Sequence, residues 1–203
     1  TLEVFGEGTS PGPSGNIEDN SYVSFGDAMQ TLEDNGVSTN IASYLGATTV
    51  RIQEIGYENR KATDEEMESM RNIVKLAMEQ GAIGIGSSLI YAPADYADTN
   101  ELIELSKVAS AYGGRYISHM RNEDSRILSA VDELIEIAEQ ANIPAEIYHL
   151  KASRQANYHL LDSVISKVEE ARSRGLKITA DMYTYTASST GLTGVIPTWV
   201  QEG

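Results

Sequence analysis

Residues 116–149 read YISHMRNEDSRILSAVDELIEIAEQANIPAEIYH and contain a predicted strand, a helix and a second strand. The short apolar runs at 116–118 and 145–148 are typical of buried strands. Between them, apolar residues recur at the spacing of one helical face, at Ile127, Leu128, Val131, Leu134, Ile135 and Ala138. Strands joined by a helix in this way pair in parallel through a right-handed crossover, so the stretch predicts one β/α/β unit.

The same alternation continues in both directions along the chain. Strands are predicted at 2–5, 40–45, 83–87, 116–118, 145–148 and 177–182. Five helices lie between them, beginning near Phe25, after the predicted N-cap residues Thr63 and Thr99, near Ile127 and near Leu160. No linker or low-complexity tract interrupts the pattern, so residues 1–203 are predicted to form a single domain.

Two α/β architectures contain this alternation, an open doubly wound sheet and a (β/α)8 TIM-type barrel. A barrel needs eight units over typically ~250 residues, so six units in 203 residues form an incomplete barrel without its first and last strands. The chain starts at Thr1 without an initiator Met or a signal-peptide pattern, and we expect it to be a central piece of a longer protein. An open sheet would be complete with six strands, and periodicity leaves both architectures open.

Composition excludes several classes of protein. The chain has 15 Lys and Arg against 30 Asp and Glu, and a net charge of −15 argues against binding to nucleic acid or to an anionic membrane. It contains no Cys, which excludes thiolate chemistry and thiolate metal sites but leaves the cellular compartment open. No apolar run approaches the roughly 18 residues that a membrane span requires.

Polar residues stand where the predicted strands end, and ligands gather at that edge of parallel sheets. These residues are Glu7, Arg51, Ser87, Ser88, His119, His149 and Asp181. His119 and His149 occupy equivalent positions on successive strands, so their imidazoles are predicted to approach a common divalent metal. The alternative is that each is a buried histidine bonded to a neighbour. Lys151, close behind His149, is either a substrate clamp or an exposed loop cation.

Four segments together resemble the D-aminoacylase branch of the amidohydrolase superfamily. They are residues 82–102 (AIGIGSSLIYAP at 82–93, then YADTNEL at 96–102), 118–123 (SHMRNE), 147–151 (IYHLK) and 181–192 (DMYTYTASSTGL). The segments occur in the order of the family and extend over essentially the whole chain.

The resemblance implies a metal-dependent barrel that hydrolyses the amide bond of N-acyl-D-amino acids or similar amides, with one or two zinc or other divalent ions as cofactor. It implies His119, His149 and Glu7 as metal ligands, Glu7 standing where many members have Cys. It places four residues near the substrate carboxylate: Tyr91, Lys151, Tyr183 and Ser189. It assigns no catalytic residue within the chain, since the general-base Asp is expected beyond residue 203.

The sequence departs from the family in three further ways. The His-x-His motif of the first barrel strand is absent, and Gly46-Ala-Thr-Thr-Val-Arg51 stands where many relatives have Gly-His, so the acyl preference can differ. Tyr183-Thr-Tyr185 replaces the commoner Tyr-Pro-Tyr.

Three functional hypotheses follow. The first is a bacterial zinc-dependent amidohydrolase, whose partner is a small N-acyl amino acid and which can be a homo-oligomer. The second is a non-catalytic fragment or subunit of such a hydrolase, which needs the missing strands for activity. The third is an unrelated open α/β sheet that binds a small molecule without metal.

Overall fold

The computed structural model describes residues 1–16 and 19–201, which form parallel strands connected by helices. The strands are β1 (Leu2–Phe5), β2 (Asn40–Ser43), β3 (Leu45–Gly46), β4 (Gly84–Ser88), β5 (Arg115–His119), β6 (Ala145–Ile147) and β7 (Ile178–Ala180). The helices are α1 (Phe25–Asn35), α2 (Ala47–Glu54), α3 (Asp64–Glu79), α4 (Thr99–Ala111), α5 (Ile127–Gln140) and α6 (Leu161–Ser173). Short 3-10 turns occur at Ala94–Tyr96, Gln155–Leu160, Leu192–Gly194 and Thr198–Val200.

The order of the strands decides between the two predicted architectures. Strand β1 pairs with β2, and the other five strands follow one another as β3-β4-β5-β6-β7, every pair being parallel. A doubly wound sheet reverses its strand order at a switch point, whereas a barrel adds each strand beside the previous one. The described strands therefore have the order of an incomplete β/α barrel, and the prediction of that fold is confirmed.

The core lies between the sheet and the helices that connect its strands. Successive helices α3, α4, α5 and α6 pack side by side. Strand residues such as Ile85 and Ile147 are completely buried, as are Leu102 and Leu105 of α4 and Val131 of α5. Burying this apolar surface stabilises the fold and holds the strand ends in a constant relation to one another.

The predicted elements are present with few changes. The strand predicted at 40–45 is divided into β2 and β3 at Tyr44, whose backbone N–H donates to the Phe5 carbonyl at 2.8 Å. The prediction of Thr63 as the N-cap of α3 is confirmed, and its side chain accepts from the Glu66 backbone N–H within a capping box. The prediction of Thr99 as the N-cap of α4 is wrong by one residue, because the side chain of Asp98 accepts from the Glu101 backbone N–H instead.

Helix α2 is absent from the predictions. It begins after Gly46, which provides no side-chain cap, and its first turns contain Thr48, Thr49 and Val50. These β-branched residues have weak helical propensity and favour a strand. The helix forms because tertiary packing buries Ala47, Thr48, Val50 and Arg51.

Large apolar side chains are exposed on β1 and just after β7. Leu2 and Val4 of β1 are 59% and 48% exposed, and Met182, just after β7, is 65% exposed. None of the helices in the described part of the chain combines the length and apolarity needed to cross a bilayer.

Candidate metal centre

The two histidines at the strand ends meet. His119 is the last residue of β5, and His149 follows β6 by two residues. The register pairs Ser118 with Ile147, which places the two strand ends side by side. His119 Nδ1 lies 2.8 Å from His149 Nε2, and the rings meet edge to face with centroids 4.5 Å apart. The predicted proximity of the two imidazoles is therefore present.

The backbone at His149 is held in an uncommon conformation. Its φ is +42°, in the left-handed region that non-glycine residues avoid. The Asp181 carboxylate accepts a hydrogen bond from the His149 backbone N–H, and the Asp181 carbonyl accepts one from the Leu150 N–H at 2.9 Å. Contacts with the segment after β7 thus hold the loop that orients the His149 ring.

A carboxylate and an ammonium group complete the cluster. Glu123 Oε1 lies 3.0 Å from His149 Nδ1, and the Lys151 Nζ lies 2.7 Å from Glu123 Oε2. One potential ligand atom from each of His119, Glu123 and His149 lies within 4.8 Å of the other two. Two imidazoles and a carboxylate are a donor set suited to zinc and related divalent ions.

The surroundings of His119 and Glu123 favour the protonation states in which these two residues bind cations. Burial lowers the pKa of His119 to about 4, although Glu123 opposes the shift, so its imidazole is neutral at pH 7. For Glu123, burial raises the pKa, but hydrogen bonds from His149 and Lys151 outweigh burial and the net shift is downward. His119 Nε2 is buried and has no hydrogen-bond partner among the described residues.

Glu7, the third predicted ligand, lies outside this cluster. It follows β1, is half-buried, and its backbone carbonyl accepts from Ser88 Oγ at 3.1 Å. Burial, followed by the negative charges of Glu7 and Asp181, raises the pKa of Tyr148. The structure thus places Glu7 at the same end of the strands as the histidines, and its role as a ligand stays a prediction.

The predicted substrate residues surround the cluster at different depths. Tyr91 lies with its ring centroid 5.8 Å from that of His119, and its hydroxyl is 2.6 Å from Thr190 Oγ1. The Tyr183 ring lies 6.3 Å from that of His149, and the Lys151 Nζ is 5.6 Å from the Tyr183 ring centroid. Ser189 is exposed, in the loop that follows Tyr183.

The sequence interpretation missed one member of the cluster and misplaced another residue. Glu123 was not identified as a site residue, although it closes the segment 118–123 and stands four residues after His119. Arg51, grouped with the strand ends, is buried away from the histidines in an ion pair with Glu101. Glu123 lies in the loop after β5, and the spacing of apolar residues does not identify the role of a loop residue.

Comparisons with known proteins show what this chain is similar to. No protein-family model matches the chain. A D-aminoacylase of Alcaligenes xylosoxydans xylosoxydans is 35% identical over 171 residues, which cover 84% of this chain and 35% of that enzyme. The chain is a relative of the D-aminoacylases. It spans about a third of the length of the curated relatives that it matches.

Solved structures agree with this relationship. A D-aminoacylase studied for the functional role of its binuclear metal centre superposes with a TM-score of 0.81 at 26% identity, covering 91% of this chain and 42% of that one. An N-acyl-D-glutamate deacylase from Bordetella bronchiseptica, complexed with zinc and a phosphonate inhibitor, has a TM-score of 0.76 at 24% identity. That alignment covers 80% of this chain and 34% of the deacylase and supports the shared fold.

Proposed function

We propose that the protein to which this chain belongs is a zinc-dependent hydrolase of N-acyl-D-amino acids or similar amides, and that this chain provides the zinc-binding histidines. The observation that carries the proposal is the meeting of His119 Nδ1 and His149 Nε2 at 2.8 Å beside the partly buried Glu123 carboxylate. Such a cluster, at the strand ends of a D-aminoacylase-related fold, occupies the place where barrel enzymes bind their substrates.

The residues present fit a zinc ion. Tetrahedral zinc with bonds of about 2.05 Å needs its ligand nitrogens roughly 3.3 Å apart, so the two facing nitrogens need to separate only slightly. His119 is a neutral imidazole, as zinc ligation requires. Zinc, when bound, supplies a Lewis acid for the scissile carbonyl and lowers the pKa of its coordinated water. Glu7 is the proposed further ligand.

The other predicted residues would bind the substrate. Lys151 is the cation nearest the histidines, and its ammonium would attract the α-carboxylate of an N-acyl amino acid. The hydroxyls of Tyr91, Tyr183 and Ser189 would donate hydrogen bonds to that carboxylate or to the acyl oxygen. Fixing the carboxylate relative to the scissile amide selects one enantiomer of the substrate. Only that enantiomer then points its side chain into a part of the site with room for it.

The second hypothesis, a non-catalytic piece that needs further strands, is supported by the exposed apolar residues of β1 and of the segment after β7. Parallel edge strands with exposed apolar side chains favour pairing with more chain. Under this hypothesis the histidines hold zinc, but turnover requires the longer protein.

The test measures bound zinc and turnover together. Protein purified without chelator or metal-affinity resin is analysed for zinc by mass spectrometry and assayed with N-acetyl-D-amino acids and their L enantiomers. We expect about one zinc or more per chain, lost in His149→Ala and retained in His159→Ala, the matched control at the exposed third histidine.

Stereoselective turnover that disappears with His149→Ala supports the hydrolase. Zinc without turnover supports the second hypothesis, with the activity restored in the longer protein. A protein without zinc, or a His149→Ala variant that retains zinc, contradicts the proposed site.

A further inference from the structure

We infer that Glu123 is a positioning residue, which selects the tautomer of His149 and thereby leaves His149 Nε2 free to bind a metal. The inference deepens the proposed function and rests on it for the identity of the metal. It concerns a residue of the loop after β5 that the sequence did not single out.

Glu123 contacts the side of the His149 ring that faces away from His119. His149 Nε2 points to His119 Nδ1 at 2.8 Å, whereas Nδ1 of the same ring lies 3.0 Å from Glu123 Oε1. A histidine that binds a metal through one nitrogen usually donates its other N–H to a carboxylate or carbonyl, which fixes the ring and its tautomer. The Glu123 carboxylate stands in that position.

Lys151 makes the choice of tautomer necessary. Its Nζ lies only 2.9 Å from His149 Nδ1, so its ammonium N–H could donate a hydrogen bond to that nitrogen. The His149 ring would then carry its own proton on Nε2, the nitrogen that faces His119, and could not bind a metal there. The Glu123 carboxylate and the Lys151 ammonium therefore compete for a hydrogen bond with the same nitrogen, His149 Nδ1.

Glu123 resolves this competition because it accepts from Lys151 at both oxygens. The Lys151 Nζ lies 2.8 Å from Oε1 and 2.7 Å from Oε2, and it also donates to the His149 carbonyl at 3.2 Å. With the ammonium protons directed to these oxygens, His149 Nδ1 keeps its own proton and donates it to Oε1. Side-chain exposures of 10% for Glu123 and 15% for His149 leave little room for water to replace this contact.

The same contacts argue that Glu123 is not itself the principal ligand. Both of its oxygens already accept from Lys151, and Oε2 lies 4.0 Å from His119 Nε2. Holding Lys151 in this way also fixes the ammonium beside the histidines, where the proposed substrate carboxylate would bind. One carboxylate thus positions both a ligand and a substrate-binding group.

The test compares Glu123→Gln with Glu133→Gln. Both changes replace a partly buried carboxylate that accepts from a cation, but Glu133 pairs with Arg121 and does not contact either histidine. Two quantities are measured: the dissociation constant for zinc, by competition with a chelating dye, and the tautomer of His149 in metal-free protein, from the ¹⁵N shifts of its ring. Far-ultraviolet circular dichroism checks that each variant is folded.

We expect wild type and Glu133→Gln to hold His149 with its proton on Nδ1, and Glu123→Gln to shift the proton toward Nε2. We expect Glu123→Gln to bind zinc about 10- to 100-fold more weakly at unchanged stoichiometry. An unchanged tautomer with an unchanged zinc affinity overturns the inference. So does a complete loss of zinc, as in His149→Ala, since Glu123 would then be a ligand. Wild-type protein without zinc would contradict the proposed function, while the tautomer of the metal-free protein still tests Glu123.

Discussion

Two ion pairs in this protein, one buried and one partly buried, have different surroundings. Arg51 and Glu101 join α2 to α4 at 2.6 Å, with side chains only 1% and 5% exposed. Lys151 and Glu123 join the loops after β6 and β5 at 2.7 Å, with side chains 19% and 10% exposed. Arg51 also donates to the backbone carbonyls of Glu58 and Arg60, whereas the second pair contacts the histidines.

The difference separates a structural pair from a functional one. Besides its ion pair with Glu101, Arg51 donates to backbone carbonyls and so fixes the loop between α2 and α3. Burial raises the pKa of Glu101 despite the opposing charge of Arg51, whereas donors from His149 and Lys151 lower the pKa of Glu123. A carboxylate whose charge is favoured, beside the neutral imidazole of His119, is suited to bind or orient cations.

The largest expected effect is on stability, from Arg51→Met. This change leaves the Glu101 carboxylate buried without its charge partner, and we expect it to lower the free energy of unfolding by about 3–5 kcal/mol. Urea unfolding followed by circular dichroism measures the loss. The double variant Arg51→Met with Glu101→Leu removes both charges and should recover a large part of it. A loss below about 1 kcal/mol in the single variant would contradict a structural role for the pair.

A smaller effect, on activity instead of stability, is expected from Lys151→Met. Glu123 keeps the hydrogen bond from His149, so its charge still has a partner, and we expect the free energy of unfolding to fall by only about 1 kcal/mol. Loss of the positive charge that would attract the substrate carboxylate should lower kcat/KM roughly 10- to 100-fold, mainly through KM.

Lys151→Arg is the control, because it keeps the charge in a different shape. Steady-state kinetics on the zinc-loaded longer protein give both constants. Unchanged kinetics in Lys151→Met would contradict a functional role for the Lys151–Glu123 pair. A stability loss as large as that of Arg51→Met would show that this pair is structural as well.

The smallest loss of stability is expected at Thr63, an exposed residue whose replacement serves as a reference for both ion pairs. Thr63→Ala removes the side-chain acceptor at the start of α3 and should lower the free energy of unfolding by about 1 kcal/mol. Urea midpoints at pH 7 measure it. A loss equal to that of Arg51→Met would show that burial does not explain the difference between the pairs.

The same capping box predicts how stability depends on pH. Hydrogen bonds from Arg60 and then from the Thr63 backbone lower the pKa of Glu66 to about 2. The stabilisation from Glu66 is therefore complete above its unfolded pKa of about 4.3 and is lost as the pH falls from there toward 2. Glu66→Gln should flatten the decline of stability over that window, and Glu65→Gln, its neighbour in the same helical turn, is the control. An unchanged decline in Glu66→Gln would contradict this assignment.

Most of the fold could be predicted from local patterns. Apolar spacing predicted six strands and five of the six helices in the described chain. It could do so because the buried and exposed faces of an element determine which of its neighbouring residues are apolar. Strand-end positions also predicted that His119 and His149 would meet, since parallel neighbours end at one edge. The single-domain organisation of residues 1–203 and the assigned site roles stay predictions.

Only the tertiary structure decided the contacts that depend on loops and long-range packing. Helix α2 forms against its own β-branched propensity because the core buries one of its faces. Arg51 turns out to be structural, and Glu123, 28 residues before Lys151, joins the histidine cluster although no periodic pattern marks it. Periodicity reports which face of an element is buried, but the position of a loop side chain depends on which distant elements pack around it. For that reason the strand-end histidines were predictable from the sequence, and the carboxylate that orients one of them was not.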